Sequence, residues 1–413
     1  MSFIDKEEKN SVFRVFIGSI LLLFVFISTE LLGSITIGQI SVRNIIMMFL
    51  IVYLIICGVR RGEKLIGFTW LVGYYGFVSF LGLINGFYLS EGLTILVGRF
   101  IPTIVLILFL CRYIEDEASL DRFLWLLLGL VLFDAAVTIL QGVGNSWGMA
   151  ISRLFRTNES IEKQIDLMNE VDGAVIGNTI ASGCFDSVVA NGYFLCSFGF
   201  LFLLPLCKGK NILRVLLSVV SFAAIAVGLF YNQQRSAFFF FLIVSFAVLI
   251  FKLLKEKRIA SLFAVGFGLV ALILLLPKVT SIPLDELGRL GDLQDDFRST
   301  TRSAFWKEFF FDNLLLGNRE KFIQIYGMTP HSLFIETFLL GGIIGMFLIA
   351  AFLICFFRDF LYALKDHRSI RFLSGVIVVM ILLNSWEHSS GVHTGFTLFA
   401  YPYAIYLKAR TMR

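Results

Sequence analysis

Long apolar runs recur along the whole chain, and they constrain its fold more than any other feature. A helix needs about 20 consecutive, mostly apolar residues to cross the hydrocarbon core of a bilayer. The sequence predicts an all-α, polytopic membrane protein with about 12 transmembrane helices, because twelve runs approach or reach that length. These runs lie near 12–32, 44–58, 65–85, 93–111, 122–141, 187–207, 211–231, 236–254, 259–276, 332–357, 372–386 and 393–407.

The composition excludes a water-soluble globule. Hydrophobic residues make up 58% of the chain and charged residues 16%, against roughly 45–50% and 25% in soluble domains. The formal net charge of +5 is small and scattered along the sequence. A basic stripe of the kind that binds nucleic acid is therefore missing, and no nucleic-acid partner is expected. No linker or low-complexity segment divides residues 1–413, so we treat them as a single integral-membrane domain.

The distribution of Lys and Arg predicts the orientation. If the N-terminus is cytoplasmic, every short connection on the inner side is basic, as the positive-inside rule demands. Both termini are then cytoplasmic, and two large loops, 142–186 and 277–331, are periplasmic. The second loop is expected to hold an amphipathic helix at the membrane interface that ends at Leu314–Gly317. Its N-cap candidates are Thr300 and Thr301, and its aromatic side consists of Phe305, Trp306, Phe309 and Phe310.

Ionisable residues within the apolar runs lie mostly toward the predicted outer face. Such charges are costly in hydrocarbon and are functional candidates by default. Arg99 lies about six residues inside the outer end of its run, roughly 9 Å deep, and Asp134 is the deepest. Arg offers a planar, permanently charged fork for phosphate oxygens. Outer arginines beside aromatic surface would therefore suit a substrate with a lipid tail and a pyrophosphate headgroup. The other outer-end residues are Glu30, Arg43, Arg235, Glu336, Glu387, His388 and His393.

No metal and no cofactor is predicted. Asp292, Asp295 and Asp296 lack the ordered ligands and the glycine of a calcium loop. The histidines near Glu387 lack the i, i+4 spacing on one helix that a zinc site would favour.

Four stretches carry a family resemblance: Tyr231–Ala237 with its Arg-Ser pair; Arg302 and Trp306 followed by Gly317; Pro330–Leu333 followed by Glu336 and Gly341–Gly345; and, more weakly, Gly183–Leu195. They resemble segments of the integral-membrane O-antigen polymerases and O-antigen ligases, two groups that share a fold. The four stretches cover roughly residues 180–350, and their order and sidedness strengthen the resemblance. Ser332 departs from the common Asn, and the polymerase motif Arg-x10-Gly is not matched, because fourteen residues separate Arg302 from Gly317.

The resemblance implies a GT-C-like glycosyltransferase acting at the periplasmic face of the bacterial inner membrane. Its donor would be an undecaprenyl-pyrophosphate-linked oligosaccharide. Arg235 and Arg302 would meet the pyrophosphate, and His331 would act as the base or orient the acceptor. Further substrate contacts are expected from Arg99, Arg298, Arg289 and Glu336. Implied partners are the lipid-linked donor and acceptor, membrane lipids, a chain-length regulator and a flippase.

Two alternatives to a polymerase stay open. An O-antigen ligase has the same leaving group but transfers the glycan to lipid A core. A twelve-helix secondary transporter of the major facilitator type would carry a long cytoplasmic loop midway and a Gly-x3-Asp-Arg/Lys motif between helices two and three. At that place this chain has residues 58–64, Gly-Val-Arg-Arg-Gly-Glu-Lys, and its long loops are predicted to be periplasmic. The polymerase interpretation is favoured.

Overall fold

The structure is a computed structural model, and its described part is mostly helical. Each of the predicted apolar runs that lies within the described residues coincides with a helix, whereas the run 259–276 lies outside them. The described residues are 16–33, 35–38, 40–58, 67–84, 96–114, 116–162, 181–209, 211–232, 234–255, 302–327, 332–366, 369–387 and 397–411.

Thirteen helices are numbered here within that described part. Helix α7 passes through a 3-10 turn at Gly199–Leu203, and a π turn at Leu96–Phe100 precedes α4. The helices are α1 (Phe16–Leu31), α2 (Val42–Cys57), α3 (Phe68–Ile84), α4 (Ile101–Tyr113), α5 (Glu117–Gly142), α6 (Ser146–Ser152), α7 (Val188–Cys207), α8 (Ile212–Asn232), α9 (Arg235–Lys255), α10 (Arg319–Tyr326), α11 (Leu333–Ala363), α12 (Ile370–Glu387) and α13 (Ala400–Thr411).

Four of these helices, α5, α7, α8 and α11, are long and apolar enough to cross a membrane. Helices α1, α2, α3, α4, α9 and α12 are apolar but shorter over their qualifying stretches. A water-soluble bundle would expose polar faces, whereas here α2 and α8 expose mainly Ile, Leu, Val, Met and Phe. The apolar helices indicate a membrane protein.

Helices α7 and α13 form the centre of the bundle. Every residue of α7 from Ala190 to Pro205 is buried, as is every residue of α13 from Ala400 to Lys408. Phe26 of α1 packs against both, with ring-centroid distances of 5.8 Å to Phe194 and 4.7 Å to Tyr401. Around this centre α8 lies along α5, α11 along α3 and α12 along α13.

A short β-hairpin connects α1 and α2, and the all-α prediction did not include it. Strand β1 (Thr36–Ile37) pairs antiparallel with β2 (Ile40–Ser41). The Ser41 hydroxyl then accepts a hydrogen bond from Asn44 N at 3.3 Å and caps α2. The hairpin reverses the direction of the chain between the two helices.

Candidate functional site

The predicted loop helix forms a small core with the beginning of α11. Residues 302–313 are helical, with a π turn at Phe305–Phe309. Phe305 and Phe309 are buried, and their rings lie 5.3 Å from Phe338 and 5.2 Å from Phe322 respectively. We call residues 302–327 together with 333–343 the loop unit. The prediction of a helix is confirmed.

The aromatic side of that helix is divided between protein and surroundings. Phe305 and Phe309 face the small core, whereas Trp306 is 52% exposed and Phe311 is 76% exposed. Leu315 and Leu316 are also exposed. The loop unit therefore has a protein-facing aromatic layer and an outward apolar rim, an arrangement that the predicted single aromatic side did not distinguish.

Helix α11 breaks at Gly342, where the loop unit meets its backbone. Gly342 has φ 57° and ψ −152°, and on its far side the Ile343 amide donates to the Leu314 carbonyl at 2.9 Å. Gly317, with φ 67°, lies against the Phe338 and Leu339 carbonyls. These contacts hold the Leu314–Gly317 stretch against the break in α11.

An ion pair joins α10 to the first turn of α11. Arg319 Nε lies 2.9 Å from Glu336 Oε1, and their side chains are 15% and 2% exposed. Asn318 fixes the position of Arg319, because its side chain caps α10 by accepting from Lys321 N at 3.0 Å. The second carboxylate oxygen, Glu336 Oε2, is buried and has no hydrogen-bond partner among the described residues.

The structure brings two of the predicted site residues into the loop unit. Arg302 begins its first helical turn, with a half-buried side chain, and Glu336 lies in α11. Arg235 begins α9 and Arg99 belongs to the π turn before α4, but both side chains lie outside the described part of the chain. His331, Arg289 and Arg298 lie outside it entirely. A shared cavity for Arg235, Arg302 and His331 stays a prediction.

A second polar cluster surrounds residues 181–187, which lead into α7. The Gln141 side-chain oxygen accepts from the amides of Ser182 and Gly183 at 3.1 and 2.9 Å. Asp134 Oδ1 accepts from Cys184 N at 2.8 Å. The Asn232 side chain donates to the carbonyls of Ala181 and Val188, at the two ends of this segment. Buried side chains of α5 and α8 thus satisfy the backbone of a non-helical segment whose residues 181–185 are buried.

Two arginines flank Asp186 beside this cluster. Arg156 donates to the Ser160 carbonyl at 2.7 Å, and Arg43 donates to the Thr29 carbonyl at 2.9 Å. Both guanidinium groups act electrostatically on Asp186. Burial nevertheless raises the pKa of the Asp186 carboxyl above its ordinary value, and burial also lowers the pKa of Arg156.

A buried ionic network joins α11, α12 and α13 away from the loop unit. Asp359 Oδ2 accepts from Arg371 Nη2 and from the Tyr406 hydroxyl, both at 2.6 Å. Arg410 Nε lies 3.7 Å from Asp359 Oδ1. Arg371 is buried because the ends of three helices approach the Asp359 carboxylate.

Sequence reasoning did not select Arg319, Arg156 or Asp186. Arg319 had a local signal, since the capping Asn318 before an amphipathic octapeptide marks a helix start. Its partner could not be read from spacing, because Glu336 lies seventeen positions further along the chain. Within the described residues, no group of three or more His, Cys, Asp or Glu side chains could hold a metal ion.

No protein-family model matches the chain, and no curated protein is significantly similar to it. Functional inference therefore depends on the residues and on the geometry of the loop unit.

Proposed function

We propose that this protein is a polysaccharide polymerase of the O-antigen type. It would join undecaprenyl-pyrophosphate-linked repeat units by glycosyl transfer. One observation carries the proposal: the Arg319–Glu336 pair lies at the broken end of an apolar helix, against which packs a loop helix that begins at Arg302 and has an exposed apolar rim. Cations beside lipid-compatible surface suit a substrate with an anionic headgroup and a long hydrocarbon tail.

The chemistry requires two kinds of group. The pyrophosphate leaves with additional negative charge, which permanent cations stabilise, and the acceptor hydroxyl must lose its proton as it attacks. Arg302 and Arg235 are assigned to the pyrophosphate, with Arg99, Arg289 and Arg298 as further contacts. His331 is assigned to the acceptor. Arg302 begins the helical segment whose Phe305 packs on Phe338, two residues after Glu336, which supports its assignment to the site.

The proposal includes a location. The protein would lie in the bacterial inner membrane with about 12 crossings, both termini in the cytoplasm and the loop unit at the periplasmic face. The basic inner connections support this orientation. The lipid-linked substrates would then reach the loop unit from the outer leaflet, and a flippase would have to deliver them.

The test is polymer formation in the native host. Arg302→Ala or Arg235→Ala should leave the lipopolysaccharide core with a single repeat unit, because chain extension stops and ligation continues. Arg153→Ala is the matched control, since Arg153 is an exposed arginine of the other large loop. An unchanged polymer ladder in both test variants, at normal protein levels, would contradict the proposal.

The same experiment separates the alternatives. If the protein is a ligase, the core is bare and lipid-linked polymer accumulates. If it is a secondary transporter, the ladder is unaffected and purified protein in vesicles shows proton-coupled or sodium-coupled uptake.

A further inference from the structure

Glu336 has a buried carboxylate oxygen for which the described structure supplies no donor. The side chain is 2% exposed, Oε1 is paired with Arg319, and Oε2 has no hydrogen-bond partner among the described residues. An unpaired buried carboxylate oxygen costs several kcal/mol unless something binds there. Such a group in a native protein calls for a ligand, a proton or a catalytic role.

Neighbouring groups are committed elsewhere. The Thr337 hydroxyl donates to the Leu333 carbonyl at 2.6 Å, and the Tyr74 hydroxyl is hydrogen-bonded to Thr337. The Glu336 amide donates to the Ser332 carbonyl at 2.8 Å, as a regular first turn requires. The carboxylate is thus held by Arg319 on one oxygen, while the other, buried near the beginning of α11, receives no hydrogen bond from the described residues.

The segment that carries Glu336 is held firmly. It runs from Leu333 to the break at Gly342, and it is fixed by the Leu314–Ile343 hydrogen bond and by the stacking of Phe310 on Phe338 at 4.7 Å. A catalytic group needs this kind of support, because small misplacements are costly in rate.

We propose that Glu336 is the proton acceptor for the attacking sugar hydroxyl, and that Arg319 is the positioning residue that holds it. The inference rests on the proposed function and deepens it. The acceptor O–H gives its proton to Glu336 Oε2, and the oxygen forms a bond to the anomeric carbon of the donor. The bond from that carbon to the phosphate oxygen breaks, and the pyrophosphate leaves with the electron pair.

The first test is turnover by purified full-length protein in detergent, with lipid-linked repeat unit extracted from a host strain that lacks this protein. Glu336→Gln should lower kcat about 100- to 10,000-fold, the usual contribution of a general base, while KM for the lipid-linked unit stays within about twofold. Glu336→Ala should regain part of the lost rate when formate is added. A merely structural carboxylate would not be replaced in this way.

The second test is a double-mutant cycle. Arg319→Gln should slow turnover in the wild-type background and cost almost nothing more in the Glu336→Gln background, because Arg319 acts through the carboxylate. Additive losses would assign Arg319 a separate role and overturn its part of the proposal. Arg319→Lys should retain more activity than Arg319→Gln, since it keeps the charge but not the fork.

The outcomes distinguish a failure of the role proposed for Glu336 from a failure of the proposed polymerase function. If wild-type protein lengthens the lipid-linked glycan and Glu336→Gln does so at the same rate, Glu336 is not the base and the polymerase assignment stands. If folded wild-type protein lengthens nothing, the proposed function itself fails. Loss of activity without formate rescue, accompanied by lower thermal stability, would make Glu336 structural and overturn the inference.

Discussion

Gly317 and Gly342 lie where the backbone at the end of the loop meets the backbone of α11, and neither position has room for a side chain. A Cβ at Gly342 would overlap the Leu315 carbonyl, and a Cβ at Gly317 would overlap the Phe338 carbonyl. The φ angles are also positive, 67° at Gly317 and 57° at Gly342, which disfavours any residue other than glycine at these positions. The end of the loop and the break in α11 therefore depend on each other.

Gly342→Ala and Gly317→Ala should each destabilise the protein by about 2–4 kcal/mol, because backbone strain and overlap add. The measurement is the thermal unfolding midpoint in detergent. Gly327→Ala is the matched control: Gly327 has φ 77° but open space around its Cβ position, so it should cost only about 1 kcal/mol. Equal decreases in the unfolding midpoint of the three variants would show that overlap with the backbone carbonyls does not destabilise the protein.

Asp359→Asn should cost about 3–5 kcal/mol of stability, because it leaves buried Arg371 without its charge partner. Asp121→Asn provides the comparison. Its ion pair with Lys208, 2.8 Å long, is partly exposed and should contribute at most about 1 kcal/mol. Chemical denaturation of both variants measures the difference, and similar midpoints would contradict the view that the Asp359 network stabilises the three helix ends.

Asp186 should make stability depend on pH. Burial raises its pKa above 3.8 in the folded protein, although Arg156 and Arg43 act in the opposite direction. The folded state therefore holds this proton more tightly than the unfolded chain does, and stability falls as pH rises from 3.8 through the raised pKa. Asp186→Asn removes the effect. Its unfolding midpoint relative to wild type should be higher at about pH 7.5 than at about pH 4.5; a constant offset would contradict the expectation.

Gln141→Leu should loosen the buried segment before α7. The substitution removes the acceptor for the Ser182 and Gly183 amides and costs about 1–3 kcal/mol for the groups left unpaired. Hydrogen exchange should become faster at these two amides. Asn145→Ala, which removes only the cap of α6, should leave their exchange unchanged. Unaltered protection in Gln141→Leu would mean that other contacts hold the segment.

The helices could be predicted because apolar length is a local property. The runs 122–141 and 211–231 correspond to α5 and α8 within a few residues. The sequence could not distinguish the protein-facing aromatic layer of the loop helix from its outward apolar rim. Phe305 and Trp306 are both aromatic and differ only in what packs against them. For the same reason the pairing of Arg319 with Glu336, and the burial of residues 181–185, required the folded chain.

The break at Gly342 also resolves a mismatch of dimensions. Helix α11 counts 31 residues, which as one straight rod would measure roughly 46 Å, half again the thickness of the hydrocarbon layer. From Ile343 to Ala363 the rod is about 31 Å long, which matches that layer. Glu336 belongs to the preceding segment, so its carboxylate lies on the other side of the break from the stretch whose length suits the hydrocarbon layer.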